Sequence, residues 1–356
     1  MKWSGYSKIG LALLGVVTGF LVSGEVVVAD FIFGNPTNLG SPVNSEANES
    51  GPCISSDGLE FYFDSDRPGG LGDPNTDIWV STRKTVNDSW DEPVNLNSKL
   101  VDPNNPVNTK YNEAQPSISA DGLSLYFHST RPGNSWYVIG WGPNGPSNIW
   151  VTRRKTKEDP WGKPENIYPF VNTNCDEWDP SISDEALFFT RNLFGKVGIW
   201  MSTWDTGNWY GVPLLEPINS NAIDSMPSIS RDGLVLFFAS TRAGGYGHYD
   251  LYVTTRPNLS APWTEPKNLG PTVNTLYAES APCLSADGRV LYFSDWNKVR
   301  PGGLGGYDLW QVQILHCGDE GHPYPEGDLN RDCRVDLSDL AVLCSHWLDC
   351  TGSGCD

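Results

Sequence analysis

The strongest constraint on this chain is an internal repeat that occurs five times. Each copy has an acidic residue three positions before a proline, a Ser-Ile-Ser-like segment and a Leu-Tyr-Phe-like triplet, and four copies have Asp-Gly between these segments. An arginine-containing loop and an Asp-Ile-Trp-like segment follow. The copies begin at Glu49, Glu113, Glu177, Asp224 and Glu279. Their starts are 64, 64, 47 and 55 residues apart, which is typical of one supersecondary unit per copy.

Each copy predicts four short antiparallel strands. Pro-Ser-Ile-Ser is the first, and Asp-Gly is the kind of turn that joins it to a second strand, Leu-Tyr-Phe. Ile-Trp-Val forms the third strand and Trp-x-x-Pro-x-Asn-Leu the fourth. Four-stranded sheets repeated at about 40 to 60 residues are the blades of a β-propeller, which closes into a ring and leaves no long edge exposed. The sequence therefore predicts an all-β, five-bladed propeller.

The two ends of the repeat region complement each other. The fifth copy lacks a fourth strand, because the chain enters a cysteine-rich tail soon after Trp310. Residues 33–44 match residues 263–274, the fourth-strand segment of the previous copy, almost position for position. We therefore expect the N-terminal strand to complete the last blade, so that the propeller spans residues 31–315.

Composition excludes two classes of protein. The formal net charge of −19 repels phosphate backbones, so direct nucleic-acid binding is not expected. The 15 Trp, 14 Tyr and 13 Phe residues supply ample apolar surface to bury, which is incompatible with intrinsic disorder.

Residues 1–30 have the pattern of a secretory signal peptide. Lys2 and Lys8 precede an apolar stretch at 9–22, and small residues suitable for cleavage follow. After cleavage we expect no membrane span and a secreted protein, extracellular or periplasmic, or held at the cell surface. Disulfides persist in such compartments, and five of the eight cysteines fall in the last 40 residues. The sequence does not determine their pairing.

The order Ser-x-Asp-Gly, Leu-Tyr-Phe, Ser-x-Arg-x-Gly-Gly, Asp-Ile-Trp resembles the WD40-like (PD40, TolB-type) propeller repeat of bacterial exported proteins. The resemblance covers about four-fifths of the chain and implies the propeller fold. Members of that family range from protein-docking platforms to peptidase accessory domains, so the resemblance is specific for the fold and does not imply one defined reaction.

The C-terminal region is predicted to contain a linker at 316–326 and a small calcium-binding tail with one helix at 327–356. Oxygen ligands fall at loop positions 1, 3, 5, 7, 9 and 12, which are Asp328, Asn330, Asp332, the carbonyl of Arg334, Asp336 and Asp339. A hard cation such as Ca²⁺ requires about six to eight oxygens from one short loop. Cys333 stands where an EF-hand has glycine, and aspartate at position 12 makes the segment similar to one half of a dockerin. The resemblance implies a tail for assembly or surface retention.

Two repeated sets of charged residues are expected at one face of the ring. The acids are Glu49, Glu113, Glu177, Asp224 and Glu279, and the arginines are Arg67, Arg131, Arg191, Arg242 and Arg300. The loops that carry both sets lie on the same face of a propeller, so the acids surround the mouth of the central channel. Two hypotheses remain open. The acids and arginines form five equivalent ion pairs that hold the loops, or the acids bind a ligand or cation at the mouth.

Departures from the repeat are the other candidate sites. The second blade has an expanded loop that contains Trp136, Tyr137 and Trp141, and exposed aromatic rings are suitable anchors for sugars. Three acids without repeated counterparts could instead form an acid/base pair for catalysis. They are Asp176, Asp179 and Asp295. His128, within a strand, is expected to be packed.

Two functional hypotheses follow from the sequence. The favoured one is a non-catalytic binding or scaffold module for a glycan or another exported protein, with a Ca²⁺-binding tail. The alternative is a glycoside hydrolase, because several glycosidase families are five-bladed propellers with carboxylates at the channel mouth. The chain contains no Gly-x-Ser-x-Gly, His-Glu-x-x-His or P-loop motif, so hydrolases and nucleotide-binding enzymes of those types are not expected.

Overall fold

A computed structural model confirms the all-β propeller with five four-stranded blades. It describes residues 31–343 except 72–74, 99–100, 102–103, 133–145, 168, 170, 206–207, 215, 297–299, 320–321, 325, 330–338 and 340. At 204, 205 and 208–210 only the backbone is described. The predicted signal peptide lies outside the described residues. No helix in the described part of the chain is long and apolar enough to cross a bilayer.

Two short strands, β1 (Ile32–Phe33) and β2 (Thr37–Asn38), precede the first complete blade. That blade contains β3 (Glu49–Ile54), β4 (Glu60–Ser65), β5 (Asp77–Thr82) and β6 (Val94–Asn95). The second contains β7 (Glu113–Ile118), β8 (Ser124–Ser129), β9 (Asn148–Arg153) and β10 (Glu165–Asn166). The third contains β11 (Asp176–Ile182), β12 (Ala186–Leu193), β13 (Lys196–Asp205) and β14 (Asn208–Pro213). The fourth contains β15 (Asp224–Ile229), β16 (Val235–Ser240), β17 (Asp250–Thr255) and β18 (Lys267–Asn268).

The fifth blade is closed by the N-terminus, as the sequence predicts. Its own strands are β19 (Glu279–Leu284), β20 (Val290–Trp296) and β21 (Tyr307–Leu315). Both β1 and β2 pair antiparallel with β21, and Asn38 is opposite Trp310. The Asn44 side chain also accepts a hydrogen bond from Leu309 N and donates one to Leu309 O, each 2.9 Å long. Segments about 270 residues apart in sequence thus complete one sheet.

Apolar packing joins each blade to the next. Side chains alternate across a strand, so Phe61 and Phe63 of β4 face the fifth blade while Tyr62 faces the second. Five clusters of buried apolar side chains fill the five interfaces between neighbouring blades. Because the second strand of each blade is buried on both faces, it consists of consecutive apolar and aromatic residues.

Polar side chains hold the outer parts of each blade. Asn108 accepts a hydrogen bond from Ile78 N (2.9 Å) and donates to Ile78 O (2.8 Å), which ties the loop into the second blade to β5. The equivalent asparagines are Asn44, Asn172, Asn219 and Asn274.

The Asp-Gly pairs form the expected turns between the first and second strands, at the face of the ring opposite the repeated acids. In the first blade, Asp57 accepts a hydrogen bond from Leu59 N, and Gly58 has a φ of 73°.

Candidate functional site

The innermost strand of every blade has a bulge on the channel. The strand register shifts at this point in β3, β7, β11, β15 and β19. The residue before the proline has a left-handed backbone in each case: Gly51, Gln115, Asp179, Met226 and Ala281, with φ between 46° and 58°. Such a conformation is uncommon outside glycine, and clusters of it occur at functional sites.

The backbone N–H of a left-handed residue donates to a side chain of the preceding blade. Gln115 N donates to Asp64 Oδ1 at 2.9 Å, and Met226 N donates to Thr190 Oγ1 at 2.9 Å. Asp179 N lies 3.4 Å from His128 Nδ1. Because Nδ1 accepts this hydrogen bond, the His128 ring is neutral with its proton on Nε2. These contacts join blades one, two, three and four around the channel.

We call a ring of ten residues around the channel the collar. It consists of the five left-handed bulge residues and of the five second-strand residues that lie beside them. The bulge positions are those given above, and the matching positions on the second strands are Asp64, His128, Thr190, Ala239 and Ser294. Blades one to three supply Asp64, His128 and Asp179, whereas blades four and five supply small or apolar residues and one serine. The collar is therefore charged on one side of the channel and largely apolar on the other.

A cavity of about 480 Å³ opens above the collar, which we call the mouth cavity. Asp64, Gln115, His128 and Met226 line its floor, and Ser147 lines its wall. Three half-buried aromatic residues also line it. They are Trp178, Trp296 and Tyr307. The Trp296 and Tyr307 ring centroids are 5.5 Å apart. Asp179 faces the narrower channel directly below, which Gln115 and Met226 also line.

The collar carboxyls hold protons unusually tightly. Burial raises the pKa of Asp64 to about 7, aided by the nearby charges of Asp179 and Asp66 and opposed by the hydrogen bond from Gln115 N. Burial likewise raises the pKa of Asp179 to about 6, although Thr190 and Met226 N stabilise its charged form. Burial lowers the pKa of His128 to about 4. Two carboxyls with pKa values raised towards neutrality in one channel make this channel a candidate functional site.

The repeated acids and arginines form internal ion pairs. The carboxylate–guanidinium distances are 2.9 Å for Glu49–Arg67, 3.0 Å for Glu113–Arg131, 2.8 Å for Glu177–Arg191, 2.7 Å for Asp224–Arg242 and 3.1 Å for Glu279–Arg300. The five acids are at most 1% exposed and also accept hydrogen bonds from neighbouring loops. This geometry supports the loop-holding hypothesis. It corrects the proposal that these acids bind a ligand or cation at the mouth, because their oxygens are buried and already paired.

The three unrepeated acids do not come together. Asp179 belongs to the collar, but Asp176 accepts a hydrogen bond from Ser147 N (3.0 Å) at the junction of blades two and three. Asp295 lies within the fifth blade, where it accepts from Asp308 N at 3.3 Å and lies 3.9 Å from Arg300. Burial raises the pKa of Asp295 to about 6. Neither Asp176 nor Asp295 lines the described mouth cavity, so an acid/base set of these three residues is not assembled.

Comparison with known proteins identifies a shared architecture. No family model and no curated protein matches the chain. A thermostable family-43 glycoside hydrolase is 13% identical with a TM-score of 0.51, over 78% of this chain and 93% of that one. TolB from Acinetobacter baumannii is 14% identical with a TM-score of 0.44, over 76% of this chain. A family 117 glycoside hydrolase from Zobellia galactanivorans is 12% identical with a TM-score of 0.47, over 82% of this chain and 92% of that one.

The similarity is one of fold. At identities this low it carries neither a substrate nor a set of site residues to this chain. The chain spans about half the length of the Acinetobacter TolB, 55%. The function therefore has to be argued from the collar and the mouth cavity.

Two sets of predicted site residues fall largely outside the described residues. Trp136, Tyr137 and Trp141 do so entirely. Of the predicted calcium ligands, Asn330, Asp332, Arg334 and Asp336 do so as well. The first and last ligands are described: Asp328 and Asp339 are buried, and Leu329 N donates to Asp339 Oδ1 at 2.7 Å. This contact brings the two ends of the predicted calcium loop together, and calcium binding stays a prediction.

Asp64, Gln115 and Ser147 are site residues that the sequence analysis missed, and so are the three aromatic residues of the mouth cavity, Trp178, Trp296 and Tyr307. A signal for the first two was present in the aligned copies. The residue before the proline is Gly, Gln, Asp, Met or Ala, and the residue after Leu-Tyr-Phe is Asp, His, Thr, Ala or Ser. These positions vary in charge between conserved neighbours, which distinguishes them from the structural positions of the repeat.

Proposed function

We propose that this chain is an exported, non-catalytic propeller that binds a glycan in the mouth cavity. The observation that carries the proposal is the combination of half-buried aromatic rings with a buried carboxyl and a half-buried amide in one cavity. A sugar ring has an apolar face, which stacks on Trp or Tyr, and hydroxyl edges, which donate to carboxylate and amide oxygens. Trp178, Trp296 and Tyr307 supply the first kind of contact, and Asp64 and Gln115 supply the second.

Replacing Trp296 tests this proposal. We expect Trp296→Ala to weaken glycan binding by about five- to thirtyfold, because stacked aromatic anchors contribute on the order of 1 to 2 kcal/mol. A glycan array identifies binding oligosaccharides, and titration calorimetry gives their affinities. Phe194→Ala is the matched control, since Phe194 is 89% exposed and does not line the mouth cavity. Equal affinities of the Trp296 variant and the wild type, or binding of exported proteins but of no glycan, would contradict the proposal.

The second candidate is glycoside hydrolysis, which the two titrating carboxyls of the collar favour. Asp64, with the higher pKa, would hold the proton for the leaving group, and Asp179 would act as the ionised partner. A reducing-sugar assay on the oligosaccharides that bind distinguishes the two functions. Saturable binding without turnover supports the binding module. Turnover that is lost in both Asp64→Asn and Asp179→Asn would establish the hydrolase.

The tail is proposed to bind one Ca²⁺ and to serve in assembly or surface retention. The contact between Leu329 N and Asp339 supports a closed loop. We expect calorimetry of the full chain to give one calcium site, and the Asp328→Asn, Asp339→Asn double variant to lose it, because each substitution removes a charged oxygen ligand. Asp319→Asn in the linker is the control. Unchanged calcium binding in the double variant would exclude this loop as the site.

A further inference from the structure

Charge compensation differs between the collar and the rest of the propeller. Each of the five repeated acids is buried against an arginine. Among the described residues, Asp64 has no ion-pair partner, and Asp179 has only the neutral His128, at 3.9 Å. Asp64 is 5% exposed and Asp179 8% exposed. A buried carboxylate without a counter-ion is unfavourable, so this side of the channel is complementary to a positive charge.

A second, independent feature of the cavity also points to a ligand. Ser147 lines the mouth cavity, is 3% exposed, and has no hydrogen-bond partner for its Oγ in the part of the chain that the structure describes. Buried polar atoms are nearly always paired, and the exceptions call for a physical explanation. An ammonium group bound in the cavity has three N–H donors, so it could donate one to Ser147 Oγ and another to the Asp64 carboxylate.

We propose that the mouth cavity binds a sugar with a free, protonated amino group, of the glucosamine type. Its ammonium group lies against Asp64, with Ser147 Oγ accepting a further N–H, and its ring stacks on the aromatic residues of the rim. This inference rests on the proposed glycan-binding function and specifies the class of sugar. A neutral or N-acetylated sugar of the same shape would fill the cavity without compensating the buried carboxylate, and so would bind more weakly.

The test compares two oligosaccharides that differ only in this group. Calorimetry of the full chain with a glucosamine tetramer and with its N-acetylated counterpart is expected to give at least about tenfold tighter binding for the free amine, as charge-assisted hydrogen bonds require. This arm uses the wild-type protein, so it does not depend on a variant that folds. Asp64→Asn is expected to reduce the ratio of the two affinities to within about twofold. Glu165→Gln, on the exposed outer strand β10, changes the net charge equally and is expected to preserve the ratio.

Each outcome separates this inference from the proposed function. Equal binding of both tetramers would overturn the amino-sugar inference but leave glycan binding intact. If neither tetramer nor any arrayed glycan bound, both would fail. If a lysine-rich peptide bound the cavity and the glucosamine tetramer did not, the ammonium group would come from a protein partner and the inference would be wrong. A ratio unchanged in a folded Asp64→Asn variant would also overturn it.

Discussion

Gln115, Asp179, Met226 and Ala281 share a left-handed backbone position, although it costs a residue with a side chain roughly 1 to 3 kcal/mol. Glycine occurs at this position only in the first blade. There, a side chain on residue 51 would collide with Asp64 Oδ1, so the Asp64 carboxyl in this position requires glycine at residue 51. The backbone conformation is thus common to all blades, and the side chains at this position make the channel asymmetric.

Asp64 makes the stability of the protein depend on pH. Its pKa is about 7 in the folded protein against an ordinary value of 3.8, so the folded state binds the proton more tightly than the unfolded chain. Its contribution to stability is complete below about pH 4 and is lost as the pH rises through about 7. We expect Asp64→Asn to raise the free energy of unfolding near pH 8 by about 2 to 4 kcal/mol and to change it little near pH 4, as measured by urea unfolding.

Asp57 provides a control of opposite sign. Burial alone would raise the pKa of Asp57. Hydrogen bonds from Lys157 and Ser55 outweigh this effect and lower the pKa to about 2. Its contribution is therefore present above about pH 4 and lost as the pH falls through about 2. Asp57→Asn should lower stability near pH 8. The assignment for Asp64 is wrong if Asp64→Asn also destabilises the protein near pH 8 while remaining folded.

At the scale of the strands, a buried ion pair fixes the start of each blade, and we call this pair of a repeated acid with its arginine a clasp. It joins the loop that leads into the first strand to the end of the second strand. Arg191 also donates to Val171 O at 2.6 Å, and Thr173 donates to Glu177. Such a clasp positions the bulge a few residues further on, and therefore the collar.

Breaking one clasp should cost much more than breaking a surface ion pair. Glu177 and Arg191 are buried, so Glu177→Gln leaves an uncompensated guanidinium inside the third blade. We expect a loss of about 3 kcal/mol of unfolding free energy in urea. Glu165 and Arg153 form an equally short but exposed pair of 2.7 Å, and Glu165→Gln should cost less than about 0.5 kcal/mol. Similar losses in the two variants would show that the clasp does not stabilise the blade.

At the scale of the whole molecule, closure of the ring depends on a few contacts of the N-terminus. β1 and β2 supply the outer strand of the fifth blade, and the Asn44 side chain forms two hydrogen bonds with the backbone of Leu309. Without them β21 would have an unpaired edge, which invites association with other chains.

Removing residues 31–44 tests this closure. We expect the melting temperature to fall by more than about 5 °C, because a strand, its hydrogen bonds and part of a core cluster are lost together. Size-exclusion chromatography should also reveal self-association. Removal of residues 327–356 is the control, and is expected to change the melting of the propeller little. An undiminished melting temperature after the N-terminal deletion would contradict the role of this segment.

Local patterns in the sequence were sufficient to predict the blades, their number and the closing segment. The three consecutive aromatic residues Phe61, Tyr62 and Phe63 reflect a strand whose two faces are both buried, each against a neighbouring blade. Each Asp-Gly pair specifies its turn through contacts among neighbouring residues alone. The match between residues 33–44 and 263–274 is likewise a property of the chain read in order. The turns and the two-sided strands are predictable because their physical causes act over a few residues. The closing segment pairs with a distant strand, and it is predictable because it repeats the fourth-strand sequence of another blade.

The candidate site was decided by the tertiary structure. Asp64, Ser147 and Trp296 come from different parts of the chain, and only the bulges of the innermost strands and the closed ring bring them to one cavity. The sequence placed the repeated acids at the mouth, yet burial against arginines removes them from it. Burial raises the pKa of Asp64, which has no comparable arginine partner among the described residues. Burial and charge compensation are properties of the assembled ring, and therefore no single repeat contains them.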